Sequence, residues 1–472
     1  MRHRTGTRDA RLSLWLRVRE FAVPPSMIRT ATVRRAAGDW AGACAAARVD
    51  VDLDLRAVAR THGRQLAARV RADLRHLAPD LLRWHLPRIA PDGLLRPGLT
   101  IPLARYGTDG QQTGATVHLV ARTPPAWADA GQRISLAVRD GSGATTACSH
   151  PHPRPHRRFR LDLHRHLWDA RRAGELWTRS GADLPASVAD AVTVPVDEDR
   201  TTCPDDRSWL DPAMLRRWHC AVDRWADEAR LLLQSQGRAD GAVAVRLGGR
   251  RRLVLDPAAH PDRPPRMTTA SAGDRTTLPV LPDAATWVPP DLTLLRAGLI
   301  DVDRLHPLVA AALTPGRPAA DPPTPDERLG PRLVACRGEQ HRIGLVDGVL
   351  VALDHDPAQI RREELLAALT GTPLPCLQVI DEAHRHPECL VDVRARLDHG
   401  DTAGALAAVE ELLGPGALLR AGALREVLEA AARRRVTHGL FRAGLAGLAP
   451  PRTERDRRPR GHRPHPRHAT RP

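Results

Sequence analysis

The feature that most limits how this chain can fold is the spacing of its apolar residues, which changes several times, each change falling near a proline- or glycine-marked turn. Between residues 64 and 86 the set Leu66, Val70, Leu74, Leu77 and Leu81 recurs at helical intervals, giving one buried face. Pro79 should divide this segment into two helices, because its ring and missing N–H break the hydrogen-bond ladder. Residues 99–106, 115–122 and 132–139 then alternate with a period of two between Gly-, Asp- and Pro-containing turns, the pattern of three strands. Helical spacing returns over 160–179 and 212–236. In the second, Leu215, Trp218, Val222, Trp225, Ala229 and Leu232 follow the three–four spacing of a coiled-coil seam, read here as a core helix. Residues 242–247 and 250–255 flank Gly248-Gly249, a hairpin signal. Residues 332–337, 341–347 and 349–354 predict another small meander, turning at Asp347-Gly348. Helices are expected to follow over about 357–369, 377–386, 387–397, 402–413 and 421–435. The chain therefore reads as α+β, mainly helical, with small antiparallel β-meander and hairpin elements and disordered basic termini.

The same patterns set the expected organisation. Residues 1–26 read as a disordered basic leader, since clear patterning begins only after Met27, which would fit a start there. A helical region spans 27–98, and a mixed region of β-meander, helices and hairpin spans 99–256. A Pro/Thr-rich linker covers 257–290, a short helical unit 291–313 and a Pro-rich spacer 314–331. The meander and helical bundle of 332–449 follow, then an Arg/Pro/His-rich tail over 450–472.

Composition narrows the chemistry. The chain has no lysine, no asparagine, one tyrosine and three phenylalanines, against 71 basic residues that are all arginine. This is the codon signature of a GC-rich bacterial genome, so the net charge of +16 partly reflects mutational bias. Residues 1–26 contribute +4 and residues 451–472 contribute +6, leaving +6 for everything between. Non-specific association with nucleic acid through those arginine-rich tails is one expectation. Seven cysteines with no CxxC pair suggest reduced thiols and a cytoplasmic location. No apolar run approaches the roughly 18 residues a membrane helix needs.

The phrase Leu377-Gln-Val-Ile-Asp-Glu-Ala-His384 resembles the acidic second motif of DEAH-box helicases, which would make Asp381 a Mg²⁺ ligand and Glu382 the residue that orients water. That chemistry also needs a phosphate-binding loop with a lysine, and this chain has none. The absence also excludes lysine Schiff-base, S-x-x-K and protein-kinase chemistry. Cys376, His384, His386 and Cys389 place two thiols and two imidazoles within fourteen residues, a candidate zinc site by ligand type though not by standard spacing. Cys148, His150, His152, His156, His164 and His166 form a second cluster, suited to adventitious metal binding. His355-Asp356 resembles the pair of the HD metallophosphohydrolases, but it ends a strand where that family uses helices.

One internal echo stands out. The stretch Gly38-Asp-Trp-Ala-Gly-Ala-Cys-Ala-Ala46 matches Gly400-Asp-Thr-Ala-Gly-Ala-Leu-Ala-Ala408 at seven of nine positions. Both resemble the Gly-Asp turn and Ala-rich helix of tetratricopeptide-like hairpins, although two separated copies do not make an array. The expected function is accordingly a non-enzymatic protein-interaction or scaffold role, with another protein as partner and no cofactor required. Nucleic-acid association is the alternative, and a metal-dependent enzyme comes third.

Overall fold

The structure, a computed structural model, describes residues 6–107, 116–140, 152, 154–184, 210–248, 251–257, 265–270, 277–316, 332–336, 339–346, 349–352, 354–356, 358–362, 365, 389–413 and 423–445. It is α+β, with many helices and small, mostly antiparallel sheets. The chain divides into two compact units, residues 1–319 with 439–472, and residues 320–438.

The larger unit opens with α1 (Gly6–Phe21), α2 (Pro25–Ala36), α3 (Trp40–Ala46), β1 (Val49–Val51), α4 (Leu55–His62), α5 (Arg64–His76) and α6 (Pro79–His85). Pro79 opens α6 at the position where a missing N–H is harmless, so the expected break after α5 is present. A two-stranded ribbon follows, β2 (Arg88–Ile89) with β3 (Leu94–Leu95). The three strands expected from period-two alternation appear as β4 (Thr100–Tyr106), β5 (Val117–Arg122) and β6 (Ile134–Arg139), an antiparallel meander. The alternation did not announce β1, which pairs in parallel with β6 to give the order β1-β6-β5-β4. Only three residues long, β1 gains its place from a partner more than eighty positions away.

Four expectations need correction. Residues 6–21 are not a disordered leader but helix α1, whose Val18 is fully buried, as is Ala22 just beyond it. Residues 160–179 do not form one helix. Turns of 3₁₀ helix at Arg165–Leu167 and Ala170–Glu175 lead into α7 (Leu176–Ser180), and the carboxylate of Asp169 caps the second turn through the Arg171 amide. The expected helix over 212–236 breaks into α8 (Pro212–Arg217) and α9 (Val222–Gln234). There the backbone bonds elsewhere: Ala221 donates to the Thr286 carbonyl, Val288 donates to the His219 carbonyl, and His219 takes a positive φ of 58°. Finally, the proposed linker is partly structured. It contributes β9 (Arg266–Thr269), which extends the hairpin of β7 (Val243–Arg246) and β8 (Arg252–Asp256), and α10 (Asp283–Thr286).

Two apolar clusters organise this unit. The first joins Val18 of α1, Leu74 of α5, Leu81 and Trp84 of α6, and Leu103, Leu119 and Leu136 of the meander. Residues 291–313, read as a short helical unit, are helical and add Leu294 and Val309 from α11 (Pro290–Arg296) and α12 (Pro307–Leu313) to this same core. The second cluster packs Leu215, Trp225, Ala229 and Leu232 against Val245, Leu253 and Leu281. The three–four stripe of α8 and α9 is thus an internal packing surface, as read from the sequence.

In the smaller unit β10 (Arg332–Cys336), β11 (Glu339–Val346) and β12 (Val349–Ala352) form the expected meander. Helices α13 (Cys389–Asp398), α14 (Thr402–Leu413) and α15 (Ala423–Arg442, of this unit as far as His438) follow, with Val393, Leu397, Ala405 and Val409 buried. The helix expected over 377–386 and the tail over 450–472 lie outside the described residues.

The sequence echo is a structural duplication. In both copies a glycine with positive φ, Gly38 at 77° and Gly400 at 83°, ends one helix, and the next residue caps another. Asp39 accepts from the Gly42 amide at 2.8 Å, and Asp401 from the Gly404 amide at 3.2 Å. The cap amides return to Arg34 and Arg396, whose guanidinium groups reach the same carboxylates at 3.1 and 3.5 Å. A Cβ on Gly42 or Gly404 would lie 2.1 or 2.2 Å from a cap oxygen, which explains the glycine three residues on. Asp39→Ala or Asp401→Ala should each cost about 1 kcal/mol. Gly404→Ala should destabilise the wild type yet stabilise the Asp401→Ala protein, where the clash is gone and alanine's helix preference remains. Urea titration of the four proteins checks this; a stabilising Gly404→Ala in the wild type would count against the motif.

Candidate functional site

Of the residues nominated as zinc ligands, Cys376, His384 and His386 lie outside the described residues, as do Asp381 and Glu382. Cys389 is the first residue of α13. Among the described residues, no group of three or more His, Cys, Asp or Glu side chains is arranged to hold a metal ion. Cys148 and His150 of the second cluster are also outside, and the structure separates the remaining members. His156 packs on Phe159 at 4.8 Å, whereas His164 and His166 are core groups with rings 5.7 Å apart. His355 stacks on His341 at 4.2 Å rather than standing on a helix.

The titratable groups of the larger unit concentrate in its interior. Arg19 of α1 grips both oxygens of Asp291 at 2.7 and 2.9 Å, donates to the Trp84 carbonyl at 2.9 Å, and lies 4.3 Å from the Trp84 ring centre. The Trp84 indole N–H also points to Asp291, 3.2 Å away. Beside it Asp80, with no exposed surface, receives His306 Nε2 at 3.0 Å. Because His306 Nδ1 accepts from the Leu308 amide, Nε2 carries the proton and donates to Asp80. His85 Nδ1 faces the carbonyls of Leu81 and Leu167, and burial lowers the pKa of this ring to about 4, so it is neutral at pH 7. Burial opposes the Glu228 carboxylate, but hydrogen bonds and charge from His164 and Arg179 overturn it and hold the group at about 2. Burial pushes the Cys44 thiol up to about 12, with Asp39 and Asp80 adding to it, so this is not an activated nucleophile. Buried, and bonded to residues distant in the chain, these groups hold elements together.

A second concentration of charge is only partly buried. Arg96 and Arg158 stand 5.9 and 5.4 Å from the centre of the Phe159 ring, which also carries His156. Arg158 forks onto Asp283 of α10 at 2.9 and 2.6 Å, and the Asp283 amide donates back to the Arg158 carbonyl. Arg246 of β7 lies within electrostatic reach of both arginines. Burial lowers its pKa to about 10, with Arg158 and Arg252 adding to the effect. The loop is pinned to β4, His156 donating its amide to the Thr100 carbonyl and the Thr100 hydroxyl donating to the His152 carbonyl. The sequence reading missed this group because its arginines are 62 and 88 positions apart, each unexceptional in so arginine-rich a chain. The one available signal was the run Arg154-Pro-His-Arg-Arg-Phe159, read only as a loose histidine segment.

Three arginines of the expected leader, Arg11, Arg17 and Arg19, are likewise packed against the fold. Arg11 lies 5.9 Å from the Trp287 ring centre, Arg17 6.0 Å from that of Phe21, and Arg19 is buried on Asp291. Large apolar side chains remain uncovered in both units, Val33 and Leu445 in the larger, and in the smaller Leu365, Val391 on α13, Leu406 on α14 and Val436 on α15, which are 68, 63, 44 and 65% exposed. Among the described residues, no helix is long and apolar enough to cross a membrane.

Compared with known proteins, the chain matches no protein-family model, no curated protein and no solved structure.

Proposed function

We propose that this is a non-enzymatic interaction or scaffold protein of the cytoplasm, and that its helical C-terminal unit binds another protein. The observation that carries the reading is the smaller unit's four exposed apolar side chains, beside a small buried cluster that among the described residues comprises Val393, Leu397, Ala405 and Val409. Exposed apolar side chains of this size are the ordinary raw material of protein interfaces, where they gain burial. The Gly-Asp hairpin of α13 and α14 adds a rigid two-helix support of the kind that presents such faces. Apolar contacts resist salt, whereas phosphate contacts through arginine weaken steeply.

The test is affinity recovery of partners on the full-length protein, with and without nuclease and at high salt, beside Val391→Glu and Val436→Glu. A discrete partner should survive nuclease and salt and should fall about tenfold or more in each variant, as expected for loss of a central apolar contact. The same proteins recovered equally well by both variants would refute the reading. Associations that vanish with nuclease would put nucleic acid in place of a protein partner.

A further inference from the structure

The half-buried group around Phe159 carries more positive charge than its surroundings answer. Arg96, Arg158 and Arg246 interact with one another, and the carboxylate that reaches them among the described residues is Asp283. Both oxygens of Asp283 are already taken by Arg158. Among the described residues, two guanidinium charges are therefore left in excess. The strand register makes matters worse for stability, because Arg246 stands directly opposite Arg252 in the β7–β8 pair, and like charges facing each other across a ladder repel. Furthermore, Arg96 Nη1 is buried with no hydrogen-bond partner, a donor withdrawn from water and left unused. His156 completes the set. Its Nδ1 accepts from the Arg158 amide at 3.2 Å, which assigns the ring proton to Nε2 and leaves a neutral donor.

A fold that sets two guanidinium groups and an imidazole N–H around one aromatic ring, with a third guanidinium within electrostatic reach, at a cost to its own stability, is built to meet an anion. We propose that Arg96, Arg158, Arg246 and His156 form a binding site for a phosphate group. Guanidinium forks match phosphate oxygens in pairs, and a doubly charged anion would balance the excess that Asp283 leaves. A carboxylate would supply one charge where two are unanswered. The phosphate is carried either by a small phosphorylated molecule or by a nucleic-acid backbone, and both present the same group to these donors. The site belongs to the larger unit and is independent of the helical interface proposed above.

The experiment is isothermal titration of the full-length protein with inorganic tripolyphosphate and, separately, with a short single-stranded oligonucleotide at several salt concentrations. Arg96→Gln and Arg246→Gln should each weaken binding about tenfold, the loss of a charged hydrogen-bonding partner. Arginines elsewhere in the chain are the same in all three proteins, so the difference reports this site. Thermal melts without ligand supply a second readout. Arg246→Gln should be at least as stable as wild type, because it removes the repulsion from Arg252. A residue with a purely structural role would instead lose stability and leave affinity untouched.

The two probes separate the sources. An oligonucleotide that binds more tightly, with a salt slope that falls by about one on removing each arginine, identifies a nucleic-acid backbone. Equal or tighter binding of tripolyphosphate identifies a small phosphorylated ligand. Wild-type protein that binds neither probe at low salt, or variants that bind both as wild type does, would overturn the proposal.

Discussion

Replacing Asp291 with alanine should cost about 3–5 kcal/mol of stability, the largest loss expected from any single polar substitution in this protein. The change would leave the Arg19 guanidinium buried without its carboxylate and the Trp84 indole N–H without an acceptor. Both are 5% exposed or less, so water cannot replace the lost partner unless the fold opens. The two residues of the ion pair are 272 positions apart, so the pair fixes α1 onto the region that begins α11. Urea unfolding followed by Trp fluorescence checks the prediction. The double variant Arg19→Met/Asp291→Leu should recover most of the loss, since a buried ion pair stabilises little relative to well-packed apolar side chains of similar volume. A loss below about 1 kcal/mol for Asp291→Ala would mean that Arg19 finds other acceptors and that α1 is not anchored in this way.

The second large effect is sensitivity to acid. His85 has a folded-state pKa of about 4 because burial disfavours its charged form, while Asp291 works in the opposite direction. The unfolded chain therefore takes up protons near pH 6.5 that the folded chain refuses. Stability from this group is full above the unfolded value and is lost as pH falls from about 6.5 towards 4, by on the order of 3 kcal/mol. His156, also lowered to about 4, and His166, whose pKa burial holds well below its ordinary value, act with the same sign. Glu228 adds a later phase. With its folded pKa at about 2, its contribution is intact above the ordinary carboxylate range and disappears only as pH falls through that range towards 2. Melting temperature should accordingly be flat above pH 7 and fall steadily between pH 6.5 and 4. His85→Gln should flatten the first part of that fall. A profile that is level down to pH 5 would show that these rings are protonated in the folded protein.

How much of this was legible in advance depended on the range of the interactions involved. The helix pair divided by Pro79, the β4–β6 strands, the β10–β12 meander and α14 followed from periodicity and turn residues, because each is specified within ten or so positions. The Gly-Asp hairpin was visible as a nine-residue echo, and its cause is equally local: a glycine that can take positive φ, an aspartate cap, and a glycine with no Cβ to collide with that cap. Helix α1 misled because arginine counts as tail-like in composition. Arg19 is nevertheless a core residue once Asp291 is beside it. The helix expected over 212–236 misled in the opposite direction. Its apolar stripe is unbroken in sequence, but backbone groups near 219–221 bond to residues 286–288 instead of to each other.

The candidate sites divide in the same way. Ligand types suggested Cys376, His384, His386 and Cys389, which remain a sequence-level candidate for zinc. They also grouped six residues over 148–166, of which the structure parts the described ones, His152 and His156 on a loop and His164 and His166 as a buried pair. The arginine group on Phe159 had no such signature, since Arg96, Arg158 and Arg246 meet only through the folding of β4, α10 and β7. By itself, the sequence determined the α+β class, most of the secondary structure, the repeated hairpin and the exclusion of lysine-dependent chemistry. The tertiary structure alone decided which arginines are core anchors and which gather, half-buried, around Phe159. Charge state and partnership depend on burial and on what lies within about 4 Å, and neither is encoded in the neighbouring residues of the chain.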